Sequence, residues 1–106
     1  VIVDASGELL GEVRMSGAKY LSRKIARSKA RTAASIGAPS AAIPEAVRTH
    51  IAAATKGEVT GLGGGLPIYV GADLVGGIGV GSGSPDQDIA VGEAALAAIG
   101  AAAAAA

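Results

Sequence analysis

The single histidine, His50, is the first residue of this 106-residue chain that could take part in chemistry. It lies three residues after Val47 and one before Ile51, at the margin of an apolar helical stripe, where histidine is more often a hydrogen-bonded side chain than a ligand. Zinc needs three or four clustered ligands, and one histidine without cysteine cannot supply them. Haem needs one axial group and an apolar slot, so haem stays open. The other possible axial or distal groups are Met15, Tyr20, Thr32 and Tyr69.

No hydrolase signature accompanies this histidine. Ser40, His50 and Asp73 could be arranged as a triad only by the fold, because the chain has no GxSxG elbow to present a nucleophile.

Positive charge is concentrated in one segment of the chain. Seven of the nine basic residues lie between positions 14 and 31, with no acidic residue among them. Arg23, Arg27 and Arg31 recur every fourth residue and therefore share one helix face, where each like-charged pair costs about 0.2–0.5 kcal/mol. Acids elsewhere in the fold, a partner's carboxylates or a bound anion could compensate, and the propionates of haem are one such anion.

Two glycine-rich segments, 61–65 and 76–83, do not match a nucleotide-binding motif, since neither contains GxGxxG or GxxxxGK[ST]. The second leads into a helix start, but Asp86 and Asp88 already place negative charge there, which disfavours phosphate. The glycines instead permit close approach of backbone to backbone, or of backbone to a flat ligand.

We therefore predict a ligand pocket where the helix face from Lys29 to Thr32 approaches Gly63, Gly64 and Gly65. Lys29 or Arg31 would supply charge for an acidic group of the ligand, and His50 would be the axial or hydrogen-bonding group if its helix covers the same opening. The alternative is that these glycines only allow strand and helix backbones to pack closely.

Composition excludes several classes of protein. Nine basic and nine acidic residues cancel and only two aromatic residues are present, which argues against a nucleic-acid or anionic-membrane partner. Without cysteine there is no disulfide or thiolate site. The longest stretch without acidic or basic residues, 59–72, is broken by glycine and proline and is too short to span a bilayer. No secretory signal is recognisable, and we expect a cytoplasmic protein.

The elements that must position these residues follow from the apolar periods. The pattern predicts the order β-β-α-α-β-β-β-α in a single domain over residues 1–106, an α+β fold with an antiparallel sheet of about five strands flanked by helices. Gly37, Gly57 and the Ser84-Pro85-Asp86-Gln87 capping box mark helix ends. The predicted helices are 19–36, 44–56 and 85–100, and the predicted strands are 1–4, 9–15, 59–60, 66–70 and 74–80.

A set of ordered motifs resembles a known family. The set is Val3-Asp4-Ala5-Ser6-Gly7-Glu8-Leu9-Leu10, Met15, Lys29-Ala30-Arg31-Thr32-Ala33, Gly63-Gly64-Gly65-Leu66-Pro67-Ile68, Val75 through Gly83 and Asp86-Gln87-Asp88-Ile89-Ala90. In this order and spacing it is similar to the GlcG/HbpS family of haem-binding or "haem-degrading" domains, which also occur at the C-terminus of PduO-type adenosyltransferases. The similarity covers residues 1 to about 99.

This resemblance implies a profilin-like fold, a homo-oligomer that is often an octamer, and haem or a related tetrapyrrole as the ligand of an accessory protein. Two alternatives stay open: a structural or regulatory oligomer serving a catabolic operon, and an enzyme acting on a small catabolic substrate. Family members usually have a helix of about 30 residues before the strand that starts here at Val1, and it can contribute to the ligand site. The six alanines at 101–106, either a helix end or residues without identified side chains, carry no predicted chemistry.

Overall fold

A computed structural model describes residues 1–106, and it has four strands and three α-helices. The strands form one antiparallel sheet in the order β2-β1-β4-β3, and the whole fold is α+β, as predicted. The elements are β1 (Ile2–Asp4), β2 (Leu9–Gly11), α1 (Tyr20–Ile36), α2 (Arg48–Ala54), β3 (Gly65–Val70), β4 (Asp73–Gly79) and α3 (Pro85–Ala98).

The first hairpin is held by an acidic turn. The carboxylate of Asp4 accepts hydrogen bonds from the Ser6 and Glu8 backbone N–H groups and from the Ser6 hydroxyl. These bonds, the one from Glu8 foremost, hold the pKa of Asp4 below its usual range. The turn therefore fixes β2 beside β1 although each strand has only three residues.

Two long helices cover opposite faces of the sheet. Along a strand, successive residues point to opposite faces. Leu66, Ile68 and Ile78 form a buried cluster with Leu96 of α3. On the other face, Gly77 and Gly79 of β4 lie directly against the backbone of α1, where a Cβ would collide with the carbonyl oxygens of Ala30 and Ala26.

Helical spacing predicts an apolar stripe on α1 of Leu21, Ile25, Ser28, Thr32 and Ile36, with Ala26, Ala30 and Ala33 beside it. The buried face is made of small side chains and is shifted toward the alanines. Ala26, Ala30, Ala33 and Ala34 are buried, whereas the predicted stripe residues Leu21 and Ile36 are substantially exposed. Because the sheet presents glycine to α1, the backbones approach too closely for larger residues between them. The helix bounds were predicted to within a residue, and Gly37 ends α1 in the left-handed conformation at φ 65°.

The region after α1 corrects two predictions. The expected helix over 44–56 is a 3-10 turn at Glu45–Val47 followed by the seven-residue α2. The expected strand at Val59 and Thr60 does not form, so the sheet has four strands rather than five. Its backbone N–H groups donate instead to threonine hydroxyls: Val59 to Thr55, and Thr60 to Thr32. Because these N–H groups are bonded to side-chain hydroxyls, they are not available to a neighbouring strand.

Two further bounds are shorter than predicted. β2 stops at Gly11 rather than Met15, and the next residue, Glu12, accepts a hydrogen bond from Arg23 of α1. α3 ends at Ala98, and its start is the predicted capping box, with Ser84 and Gln87 bonded reciprocally. Beyond it, Ala102 pairs with Tyr69 on the outer edge of β3.

Candidate functional site

Five of the six residues predicted as a ligand site come together in the structure. Gly65 lies against the backbone of α1, where a Cβ would collide with the Lys29 carbonyl oxygen. A Cβ at Gly64 would lie 2.9 Å from Lys29 Nζ, and one at Gly63 would lie 3.2 Å from Pro85 Cβ. Thr32 lies three residues after Lys29 on α1 and is fully buried. Its hydroxyl donates to the Ser28 carbonyl and accepts from the Thr60 N–H.

The polar groups at this junction bond to one another. Lys29 is 5% exposed, and its ammonium donates to the Val80 carbonyl oxygen at 2.9 Å and to Asp88 Oδ2 at 3.1 Å. The other Asp88 oxygen accepts from the Gly83 N–H at 3.0 Å. Lys29 therefore ties α1 to the first turn of α3, and its charge is matched inside the protein.

His50 does not join the other five residues in this chain. It is exposed on α2, which packs against the 3-10 turn before it and against no strand or other helix. None of the six predicted residues lines either of the two surface grooves described below. Their part in ligand binding stays a prediction.

A second region, not proposed as the ligand pocket from the sequence, carries exposed apolar side chains. Six of the thirteen exposed large hydrophobic residues fall within residues 9–21. Met15 is 78% exposed and Tyr20 is 84% exposed. We call the segment from Val13 to Leu21, between β2 and α1, the apolar rim; its exposed apolar members are Val13, Met15, Tyr20 and Leu21.

A basic groove of about 330 Å³ adjoins this rim. One wall is the outer face of α1 and the other is the loop at Gly57 and Glu58. Tyr20 belongs both to the rim and to the groove. The groove is lined by Tyr20, Arg23, Lys24, Arg27, Ser28, Arg31 and Glu58.

Two carboxylates neutralise part of the arginine stripe, which is one of the compensations that the sequence allowed. Glu12 accepts from Arg23 Nη2 at 2.8 Å and from Arg27 Nη2 at 3.4 Å, and Glu58 pairs with Arg31. The hydrogen bonds from Arg23, followed by the nearby arginine charges, hold the pKa of Glu12 below its ordinary value. No sequence signal marked the apolar rim, because the alternation over residues 9–15 favoured a strand, whereas β2 ends at Gly11.

A larger open groove of about 630 Å³ lies on the far side of Arg31. It runs between the first hairpin turn and the loop at Glu58 and Val59, and Arg31 Nε donates to the Gly7 carbonyl oxygen at its edge. Only two of its eight lining residues are hydrophobic, so it offers little surface for a flat apolar ligand.

Known proteins share both the sequence and the fold. The family model "Haem degrading protein HbpS-like" matches residues 1–97, and the chain belongs to this HbpS-like family. The corrinoid adenosyltransferase PduO of Citrobacter freundii is 35% identical over 103 residues, which are 92% of this chain and 31% of that protein. The PduO of Salmonella typhimurium is 32% identical over the same share. The chain thus spans about a third of the length of these relatives.

Solved structures extend the likeness to three dimensions. A PduOC–haem complex superposes with a TM-score of 0.88 at 30% identity, covering 97% of this chain and 78% of that one. A double mutant of Streptomyces reticuli HbpS gives a TM-score of 0.79 at 31% identity, covering 93% of this chain and 68% of that one. The expected fold and family are confirmed.

No helix in the structure is both long and apolar enough to cross a bilayer.

Proposed function

We propose that this chain binds haem or a closely related tetrapyrrole on the apolar rim and not as a buried prosthetic group. The observation that carries the proposal is the exposed apolar surface of Val13, Met15, Tyr20 and Leu21 directly beside a cationic groove. The HbpS-like family and the fold shared with a protein solved as a haem complex support it.

The residues of the rim match the chemical parts of haem. The porphyrin ring needs an apolar platform, which Val13 and Leu21 offer. Iron needs a donor atom, and the Met15 thioether and the Tyr20 phenol are known kinds of axial ligand. The two acid groups need cations, which α1 carries next to Tyr20. Haem bound here would supply a redox-active iron, while the chain's residues hold and orient the ring.

A titration with haemin tests this proposal on the intact chain. Wild type should give a saturable shift of the Soret band. Val13→Asp should weaken binding about tenfold or more, because it places a carboxylate under an apolar ring. Val70→Asp, which changes another exposed valine on the far edge of the sheet, is the control and should bind like wild type.

The same titration tests the site predicted from the sequence. If Val13→Asp binds normally and His50→Ala or Thr32→Ala does not, the ligand lies at the Lys29, Thr32 and Gly63–Gly65 junction with His50, and the rim proposal is wrong. If wild type shows no saturable shift, haem binding itself is wrong.

A second candidate function, an oligomeric accessory protein, is favoured by the outer face of α3. From Ile89 to Ala98 this helix has one charged residue, the exposed Glu93, and its outer half is otherwise apolar and exposed. A helix that is hydrophobic all round is normally covered. We propose that a second copy of this chain covers it, because the face presents small side chains flanked by Val91 and Ile99 and carries no cation. The exposed apolar residues are Ala90, Val91, Ala94, Ala95, Ala97, Ala98 and Ile99.

A further inference from the structure

The basic groove beside the apolar rim is held open by contacts of two of its lining residues, Ser28 and Arg31. The Ser28 hydroxyl donates to the Gly57 carbonyl oxygen at 2.7 Å and anchors the 57–58 loop to α1. Arg31 closes one end of the groove through its bonds to Glu58 and Gly7. The opposite end meets Tyr20 and the apolar rim. The groove is therefore a fixed feature of the fold, open toward the surface where the tetrapyrrole is proposed to lie.

The groove has more cationic side chains than there are carboxylates in contact with them. Four cationic side chains line it, and two carboxylates, Glu12 and Glu58, contact them. The excess is two charges. Lys24 forms no ion pair at all, since the four ion pairs of the protein involve Arg23, Arg27, Lys29 and Arg31.

One donor in this cluster lacks an acceptor. Arg27 Nε is buried without a hydrogen-bond partner, while its Nη2 makes only the 3.4 Å contact to Glu12. Buried donors are nearly always paired in proteins. This unpaired guanidinium N–H lies among excess positive charge, and such a setting favours an oxyanion beside the Arg27 side chain.

We propose that the groove binds the carboxylate groups of the tetrapyrrole, with Lys24 and Arg27 as its principal contacts and Arg23 beside them. This inference rests on the proposed function. Arginine presents paired N–H donors that suit a carboxylate, and lysine adds a mobile point charge. The ring would then extend over Tyr20 onto the apolar rim, so that groove and rim hold one ligand by its two chemically different ends.

Haemin and its dimethyl ester distinguish this inference from the proposed function. The ester keeps the iron and the ring but has no carboxylates. Wild type should bind haemin more tightly than the ester. Lys24→Gln and Arg27→Gln should each lose about 1.5- to 5-fold in affinity for haemin, as expected for one partly exposed ion pair, and nothing for the ester. Lys56→Gln removes an exposed lysine outside the groove and should change neither affinity.

The possible results distinguish the carboxylate site from haem binding itself. Equal affinity of wild type for haemin and ester, or equal losses on both ligands in the groove variants, overturns the carboxylate site while leaving haem binding in place. Absence of a saturable Soret shift with both ligands overturns the inference together with the function on which it rests. Because Lys24 makes no contact that maintains the fold, a loss confined to haemin in Lys24→Gln cannot be ascribed to unfolding.

Discussion

The lysine that the sequence marked for ligand charge lies in the most completely buried ion pair of the molecule. The side chains of Lys29 and Asp88 are 7% and 4% exposed, and each has a further backbone partner, Val80 for the lysine and Gly83 for the aspartate. Removing one member of such a pair leaves the other charged and unmatched, which costs far more than losing a surface ion pair.

We accordingly expect Lys29→Met to lower the free energy of unfolding by about 3–5 kcal/mol. Lys24→Met, five residues earlier on the same helix but without an ion pair, should stay within about 0.5 kcal/mol of wild type. Urea denaturation followed by circular dichroism measures both. A Lys29→Met protein as stable as wild type would show that the Lys29–Asp88 pair does not contribute to the free energy of unfolding.

The sequence predicted which residues lie near Lys29 but not that Lys29 forms a buried ion pair. The helix face from Lys29 to Thr32 and the glycine run of 63–65 rightly indicated that α1 and the start of β3 lie against each other. Which lysine faces inward is decided by Asp88, 59 residues further on, and no local pattern reports that pairing. In the same way, Leu21 and Ile36 fit the helical stripe but are exposed. The glycines of β4 bring the strand so close to α1 that alanine is the residue that fits between them.

At the scale of elements, the contact between α1 and β4 is backbone against backbone. Gly77 and Gly79 place the strand against the carbonyl groups of Ala30 and Ala26 with no side chain between them. The periodicity of α1 and the capping box of α3 gave reliable bounds because they are local signals. The extent of β2 and the absent strand at 59–60 depended on distant partners, namely the length of β1 and the Thr32 hydroxyl.

This close contact makes Gly77→Ala strongly destabilising, by roughly 3 kcal/mol or more, because the new methyl group meets backbone that cannot rotate away. Gly11→Ala is the matched control, since Gly11 is also a strand glycine but has no atom within 4 Å of the position of a new Cβ. Its stability should change by less than about 1 kcal/mol. Thermal melts of the two variants side by side give the comparison, and similar midpoints would mean that α1 can shift outward.

At the scale of the whole molecule, the sheet is covered on both faces by helices, and two patches of the exposed apolar surface have been described. One is the apolar rim, assigned above to a ligand. The other is the outer face of α3, assigned to a second copy of the chain. A small domain with a core of alanine and glycine buries little apolar area for its length, and association supplies more.

Ile99→Asp should therefore shift the protein toward monomer, because it places a carboxylate at the end of the apolar face of α3. Ile99 is 71% exposed, so the fold of the single chain should not suffer. Light scattering coupled to size exclusion measures the mass at micromolar concentration, and Val13→Asp serves as the control that alters the rim instead. A wild-type mass near 10.1 kDa would contradict association outright.

The pairing of the C-terminal tail with β3 also limits how copies of this chain can join by their strands. Ala102 exchanges two backbone hydrogen bonds with Tyr69, and Ala106 donates to the Gly71 carbonyl oxygen. Tyr69, on the outer edge of β3, is thereby paired within the molecule, and β2 forms the opposite edge of the sheet. A polymer built strand to strand needs two open edges on every copy, whereas one open edge permits a pair and then stops. By pairing with Tyr69, the C-terminal tail obstructs strand addition at one of the two edges that such a polymer would need.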